Sequence, residues 1–265
     1  MTANGISASN VDMTFTRNGT HFTALRDVSI NIPASAFVSL LGPSGCGKST
    51  LLRILAGIQK PSAGTVSING HDVMSAVRGG ELGLVQQRAA LLPWKTALQN
   101  TAFLAELSGR AGTRREAERR AAEALELVGL AAAHHKLPHE LSGGMAQRVS
   151  IARALALNPS SLFMDEPFGA LDAITRDQLN QSLHDIWRET GKTVVFVTHS
   201  IAEAVFLSET VHVMGSGPGH ISDTVDIGLS RTRSSAVRGS AEFIDCEERL
   251  RAILDHNVDE ARNAA

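Results

Sequence analysis

A continuous apolar run, Phe37 to Leu41, passes directly into Gly42-Pro43-Ser44-Gly45-Cys46-Gly47-Lys48-Ser49-Thr50, then into the apolar stretch "LLRILAGI", which Gly57 stops. A short apolar run of this kind fits a strand buried on both faces, as in a parallel sheet covered by helices. The glycine-rich segment fits G-x-x-x-x-G-K-[ST] at every fixed position, with strand before and helix after, the setting in which that pattern cradles phosphate. Its glycines let backbone N–H groups turn toward phosphate oxygens, and the N-terminus of the following helix adds positive potential. Lys48 can then reach the β- and γ-phosphates, and the Ser49 hydroxyl can ligate Mg2+. Cys46 lies inside the loop, where a small side chain fits because the backbone does the binding; a redox role is the alternative.

The rest of the chain supplies elements for a layered α/β fold. "ISASNVDMTF" and "HFTALRDVSINI" alternate as a hairpin or meander would, and "GTVSING" predicts another strand closed by an Asn-Gly turn. "SLFMDEP" and "TVVFVTHS" read as further buried strands, separated by a helical span from about Ala173 to Thr190 that Gly191 ends. From Thr96 to Leu130 the chain is rich in Ala, Glu, Arg and Leu at helical period. These patterns predict an α/β fold with a mostly parallel sheet, an N-terminal antiparallel β subdomain and a helical subdomain inserted at about 96–158. The main domain is expected over 1–235, followed by a helical extension over 236–265. Within that tail Cys246, Leu250, Ile253 and Leu254 fall on one helix face.

A second chemical signal is the acid pair that ends "LFMDE". Asp165 can hold the Mg2+ shell, commonly through water, and Glu166 can polarise an attacking water as general base. Adjacent strand residues point to opposite sides, so the two carboxylates are expected to have different partners.

Taken as a set and in order, the motifs resemble those of the nucleotide-binding subunits of ABC transporters. "GPSGCGKST" resembles the Walker A loop, "SLFMDE" the Walker B strand, "LSGGMAQR" (141–148) the ABC signature, "FGALD" (168–172) the D-loop and "VTHS" the switch-histidine segment. Gln87 in "LVQQ" stands where the Q-loop glutamine falls. The resemblance runs from about Ile6 to Ile227 and implies a P-loop NTPase core binding ATP and Mg2+. It places Phe15 against adenine, Gly42 to Thr50 around the phosphates, and Ser49, Gln87 and Asp165 near the metal. Lys48, Glu166, Gln87 and His199 become catalytic, His199 by bonding the γ-phosphate and keeping Glu166 and the water in line. The same resemblance implies a head-to-tail homodimer with ATP at its interface. Ser142, Gly143 and Gly144 of one copy would face the γ-phosphate held by the other, with Asp172 beside it.

Two readings of such an ATPase compete: the motor of a transporter, or a soluble ATPase acting on nucleic acid or ribosomes. The formal charge of −2 and the lack of a basic block or aromatic platform disfavour nucleic acid. The span from Gln87 to Leu141 is too short for the long coiled coils of the DNA-repair relatives. "LLPWKT", "PFGALDAITRDQLNQSLHDIW" and "EAVFLSETVHVMGSGPGHI" resemble the nitrate, sulfonate and taurine group of bacterial importers. That resemblance implies a separate membrane permease contacting residues near Gln87 to Asn100 and, indirectly, a periplasmic solute-binding protein. Trp94 would line the groove that receives a permease helix; a place in the core is its alternative. No apolar run approaches the ~20 residues a membrane helix needs, and "MTANGISASN" has no secretory pattern. The two cysteines, far apart in sequence, suggest no disulfide framework. The expected location is peripheral, on the cytoplasmic face of the inner membrane.

Several features stand outside this scheme. "HHKLPH" (134–139) reads as a loop leading into the signature, with a metal site as the alternative, and "RREAERR" as a solvated helix face. Gln86, Ser35, Ser200 and His220 occupy slots where the family usually carries an apolar or aromatic residue, glycine, aspartate and arginine respectively. Met145 and Ala146 replace a frequent glutamine and arginine behind the signature glycines.

Overall fold

Strands of alternating or continuous apolar residues and helices with one buried face follow each other along the whole chain. The computed structural model describes residues 5–17, 19–169 and 171–263, so Ala170 of the 168–172 segment and the last two residues of the tail lie outside it. In chain order the elements are β1 (Gly5–Arg17), β2 (Thr20–Pro33), β3 (Phe37–Leu41), α1 (Lys48–Leu55), β4 (Ala63–Ile68), β5 (His71–Asp72), α2 (Val73–Arg78), β6 (Leu82–Val85) and α3 (Ala97–Leu107). There follow α4 (Arg114–Leu127), α5 (Gly143–Ala156), β7 (Ser161–Asp165), α6 (Ala173–Thr190), β8 (Thr193–Thr198), α7 (Ile201–Leu207), β9 (Thr210–Gly215), β10 (His220–Asp226) and α8 (Ala241–Asn263). The contacts divide the chain into two units, residues 1–77 with 193–265, and residues 78–192.

The first unit holds two sheets. One is antiparallel, in the order β2-β1-β4-β5, with β1 and β2 forming the expected hairpin. Asn69 and Gly70 both take positive φ, 51° and 78°, as the tight turn after β4 requires. In the other, β3 lies between β8 and β9, parallel to both, and β10 runs antiparallel to β9. All five residues of β3 and all six of β8 are buried, as strands covered on both faces should be. Behind this sheet α8 buries Phe243 and Leu250, with Cys246, Ile253 and Leu254 half-buried beside them. The buried face therefore also includes Phe243 and Asn257, whose amide donates to Ser222 Oγ at 2.7 Å. Arg233, 3% exposed, donates to the carbonyls of Val205, Phe206 and Ser208 at the end of α7; burial lowers its pKa to about 10.

In the second unit β6 and β7 pair in parallel, Leu82 beside Ser161 through Val85 beside Met164. Helices α3, α4 and α5 pack on one another, and α3 and α4 meet through Ala102, Ala105, Ala111, Ala117 and Ala121. Small side chains there let the helix axes approach closely, which explains the alanine-rich composition. The opposite face of α4 is solvated. Glu116 accepts from Arg119 and Arg120 at 2.7 and 2.9 Å, and these bonds hold its carboxyl down to about 2. Helix α6 ends on Gly191, at φ 59°, where the sequence places its stop. No helix among the described residues is long and apolar enough to cross a membrane.

Candidate functional site

The phosphate loop leaves the C-terminal end of β3, the position at which parallel α/β sheets present their ligand sites. Gly45 and Gly47 have φ of 82° and 100°, conformations that side-chain-bearing residues rarely adopt. A Cβ on Gly47 would also stand 2.7 Å from Leu25 Cδ2. Gly47 opens α1 without a side-chain cap, and no acid occupies the helix's own first turn, where backbone N–H groups and the positive end of the helix favour an anion. Lys48 is 4% exposed, and its Nζ donates to the carbonyls of Gly42 and Pro43 at 2.8 Å each, bent back over the loop. Ser49 and Thr50 follow on the first turn, half-buried.

Cys46 is 2% exposed and burial raises its thiol pKa, the opposite of what a reactive cysteine needs. The backbone at Gly219 lies directly behind it: a Cβ there would come within 2.0 Å of the Cys46 carbonyl oxygen. Gly219 also exchanges hydrogen bonds with the β2 backbone, accepting from Arg26 and donating to Ala24. The turn between β9 and β10 thus props the phosphate loop from behind. Leu41 and Thr198 are register partners, so Gly42 and His199 leave the sheet side by side. His199 is exposed there, and Ser200 keeps the capping role an aspartate would have, accepting from Glu203 N at 3.3 Å. Phe15 is 40% exposed on β1, paired directly across the hairpin with Phe22, 64% exposed.

The second unit gathers the other residues. Strand β7 ends at Asp165, and Glu166 follows with φ 43°, outside the strand. This corrects the expectation from strand alternation, because the left-handed turn and not the pleat aims the Glu166 side chain. A Cβ at Gly169 would lie 3.5 Å from Gln87 Nε2 and 3.6 Å from Glu166 Oε2, so the glutamine amide and the carboxylate converge over that glycine. The donors assigned to Mg2+, a hydroxyl, an amide and a carboxylate, are hard oxygen ligands of the kind this ion takes.

Ser142 caps α5, its Oγ accepting from Met145 N at 3.3 Å, and Ser142 and Gly143 are exposed. Gly144 is buried: a Cβ there would meet Thr175 Cγ2 at 2.8 Å. Thr175 in turn donates its backbone N–H to Asp172 Oδ1 at 3.0 Å, the cap of α6, and this bond lowers the Asp172 pKa. A Cβ at Gly143 would have Leu171 Cδ2, 3.6 Å away, as its nearest neighbour among the described residues, an ordinary contact.

Three further expectations meet the structure here. Trp94 is 72% exposed, which excludes the core alternative. The histidine-rich loop has a structural task, since the carbonyls of His134 and Lys136 accept from Leu98 and Ala97 at the start of α3. Ser35, in a slot where glycine is frequent, has φ 61°, the conformation that makes glycine frequent there. Sequence reasoning did not single out Phe22, Gly169 or Gly219. For Phe22 the signal was present, because hairpin pairing sets it opposite Phe15.

The chain matches the ABC transporter family over residues 25–169. It is 45% identical to the taurine import ATP-binding protein TauB of Rhizobium johnstonii, covering 94% of this chain and 95% of that one. It is 42% identical to an uncharacterized ABC transporter ATP-binding protein of Methanocaldococcus jannaschii, covering 96% and 92%. Among solved structures it is similar to a dimeric post-hydrolysis state of an ATP-binding cassette bound to ADP and Pi. There the TM-score is 0.75 at 35% identity, over 85% of this chain and 100% of that one. The chain belongs to the ABC transporter family, and its fold is that family's ATP-binding cassette.

Proposed function

We propose that this protein is the ATP-hydrolysing subunit of an ABC importer that takes up a small sulfonate, taurine or nitrate through a separate permease. The observation that carries the reading is the uncapped start of α1 behind Gly45 and Gly47, with Lys48 folded over the loop. The backbone amides there bind phosphate, Lys48 turns from its two carbonyls toward the β- and γ-phosphates, and Phe15 and Phe22 offer a π-face to adenine. Ser49, Asp165 and Gln87 would hold Mg2+, which when bound would supply positive charge against the phosphates. Glu166 takes the proton of the attacking water, and His199 bonds the γ-phosphate.

Two copies assemble head to tail, so that the exposed Ser142 and Gly143 of one face the γ-phosphate bound by the other. The similarity to TauB supports an importer over a soluble ATPase acting on nucleic acid or ribosomes, and points to sulfonates. The exposed Trp94 suits a permease helix docking near Gln87 to Asn100, which sets the subunit on the cytoplasmic face of the inner membrane; a solute-binding protein acts through the permease. Affinity purification from membranes tests this reading. It predicts recovery with a multi-span membrane protein whose presence raises ATP turnover. Recovery with ribosomes or nucleic acid instead would overturn it.

A further inference from the structure

The loop from Gln86 to Thr96 connects β6 to α3 and contains both Gln87 and Trp94. Side chains from two helices hold its backbone. From α5, Gln147, 4% exposed, donates through Nε2 to the Gln86 carbonyl at 3.1 Å. Six residues further along the same helix, Arg153 donates to the carbonyls of Ala89 and Ala90 at 2.7 and 3.0 Å, and to Ser150 Oγ at 3.4 Å. From α3, the fully buried Asn100 accepts from Leu92 N and donates to the carbonyls of Leu92, Lys95 and Thr96 at 2.8 to 3.1 Å.

Ala90 takes φ 45°, a left-handed conformation that a residue bearing a Cβ adopts only at a cost. A loop free to relax would abandon it; the guanidinium bonded to the Ala90 carbonyl holds it in place. Charge-assisted bonds to carbonyls are stronger than neutral ones, and Arg153 is partly desolvated, which lowers its pKa. Between these fastenings Trp94 projects outward, 72% exposed. A large exposed aromatic on a stiff backbone loses little conformational freedom when a partner covers it.

Gln147 and Arg153 stand on the helix whose first residues are Gly143 and Gly144 and whose cap is Ser142. We propose that Gln147 and Arg153 are positioning residues that fasten the Gln86–Ala90 loop to the signature helix. A partner pressing on Trp94 then moves the Ser142–Gly143 edge with the loop rather than flexing the loop alone. The inference rests on the functional reading above for the identity of the partner, whereas the fastening is a property of this chain by itself.

Hydrogen–deuterium exchange on the full-length protein separates the two. Without nucleotide, Arg153→Ala should speed exchange of the amides in 88–92 about tenfold or more, with amides of α4 unchanged. Arg153→Lys, which keeps one charged donor, should restore part of the protection. Gln147→Ala gives an independent arm centred on Gln86 and Gln87. Unchanged exchange in 86–92 for both alanine variants overturns the fastening, whatever the ATPase reading. In the permease complex, Arg153→Ala should lower the stimulated kcat at least fivefold while KM for ATP stays within about twofold. A stimulated kcat equal to wild type, with the loop amides loosened, overturns the transmission.

Discussion

The glycine-bearing turns before α1 and α5 are built for opposite purposes. The turn before α1 uses glycines in left-handed conformations and leaves the helix start uncapped. The turn before α5 has no positive-φ residue from Ser142 to Gly144 and caps itself through Ser142 Oγ. The first is the cradle proposed for phosphate, where the backbone donors of the helix start have no side-chain cap. The second is a finished edge: a Cβ on Gly144 would press on Thr175 of its own chain, whereas a Cβ on Gly143 would have Leu171 Cδ2, at an ordinary contact distance of 3.6 Å, as its nearest neighbour among the described residues. A motif can thus be glycine-rich for three separate reasons, namely conformation, internal packing and the approach of something external.

Disabling the cradle and its chemistry should have the largest effects. Glu166→Gln should keep ATP and slow turnover about 10²–10⁴-fold while ATP-bound dimers accumulate; hydrolysis at the wild-type rate would remove Glu166 from the role of base. Lys48→Ala should weaken binding of a fluorescent ATP analogue about a hundredfold, and undiminished affinity would mean that the backbone alone makes the site.

The two signature glycines sharpen the contrast at smaller amplitude. Gly144→Ala forces its new methyl into Thr175 and should lower stability by about 1–3 kcal/mol in urea melts. Gly144→Ala with Thr175→Ser removes the clashing methyl and should recover most of that loss. Gly143→Ala should leave the melt unchanged yet weaken ATP-dependent dimerisation, since among the described residues its Cβ meets nothing closer than 3.6 Å. A Gly143→Ala protein that dimerises normally would mean that nothing external comes close there.

The smallest effect is a titration. Asp172 accepts from Thr175 N, which stabilises its ionised form and lowers its pKa. A lowered folded-state pKa means this cap is fully present above the ordinary aspartate range and is lost as pH falls through the lowered value. The Thr175 amide shift should therefore titrate below the ordinary aspartate range by NMR, and in Asp172→Asn it should not titrate.

Much of this architecture was legible because local and tertiary signals agree. Phe37–Leu41 is buried at every position, and Gly191 ends α6 where its left-handed conformation is needed. What escaped reading has no signature in residue type. Glu166 turns left-handed although glutamate has no preference for that conformation. Arg153 and Gln147 grip carbonyl oxygens, and a carbonyl is the same whichever residue carries it. Gly144 owes its identity to Thr175, a residue distant in the chain. Trp94 had two readings from sequence because an apolar aromatic fits a core and a docking face equally well; exposure separates them.

The proposed head-to-tail dimer requires the finished edge of one copy to serve the cradle of another. In a Glu166→Gln background, copies carrying Lys48→Ala are mixed with copies carrying Ser142→Glu, whose added carboxylate repels phosphate but suits a helix N-terminus. Neither homodimer should then hold ATP at its interface, while each mixed dimer, retaining one intact cradle opposite one intact edge, should hold one. Mixed dimers that hold no more ATP than either homodimer would contradict it.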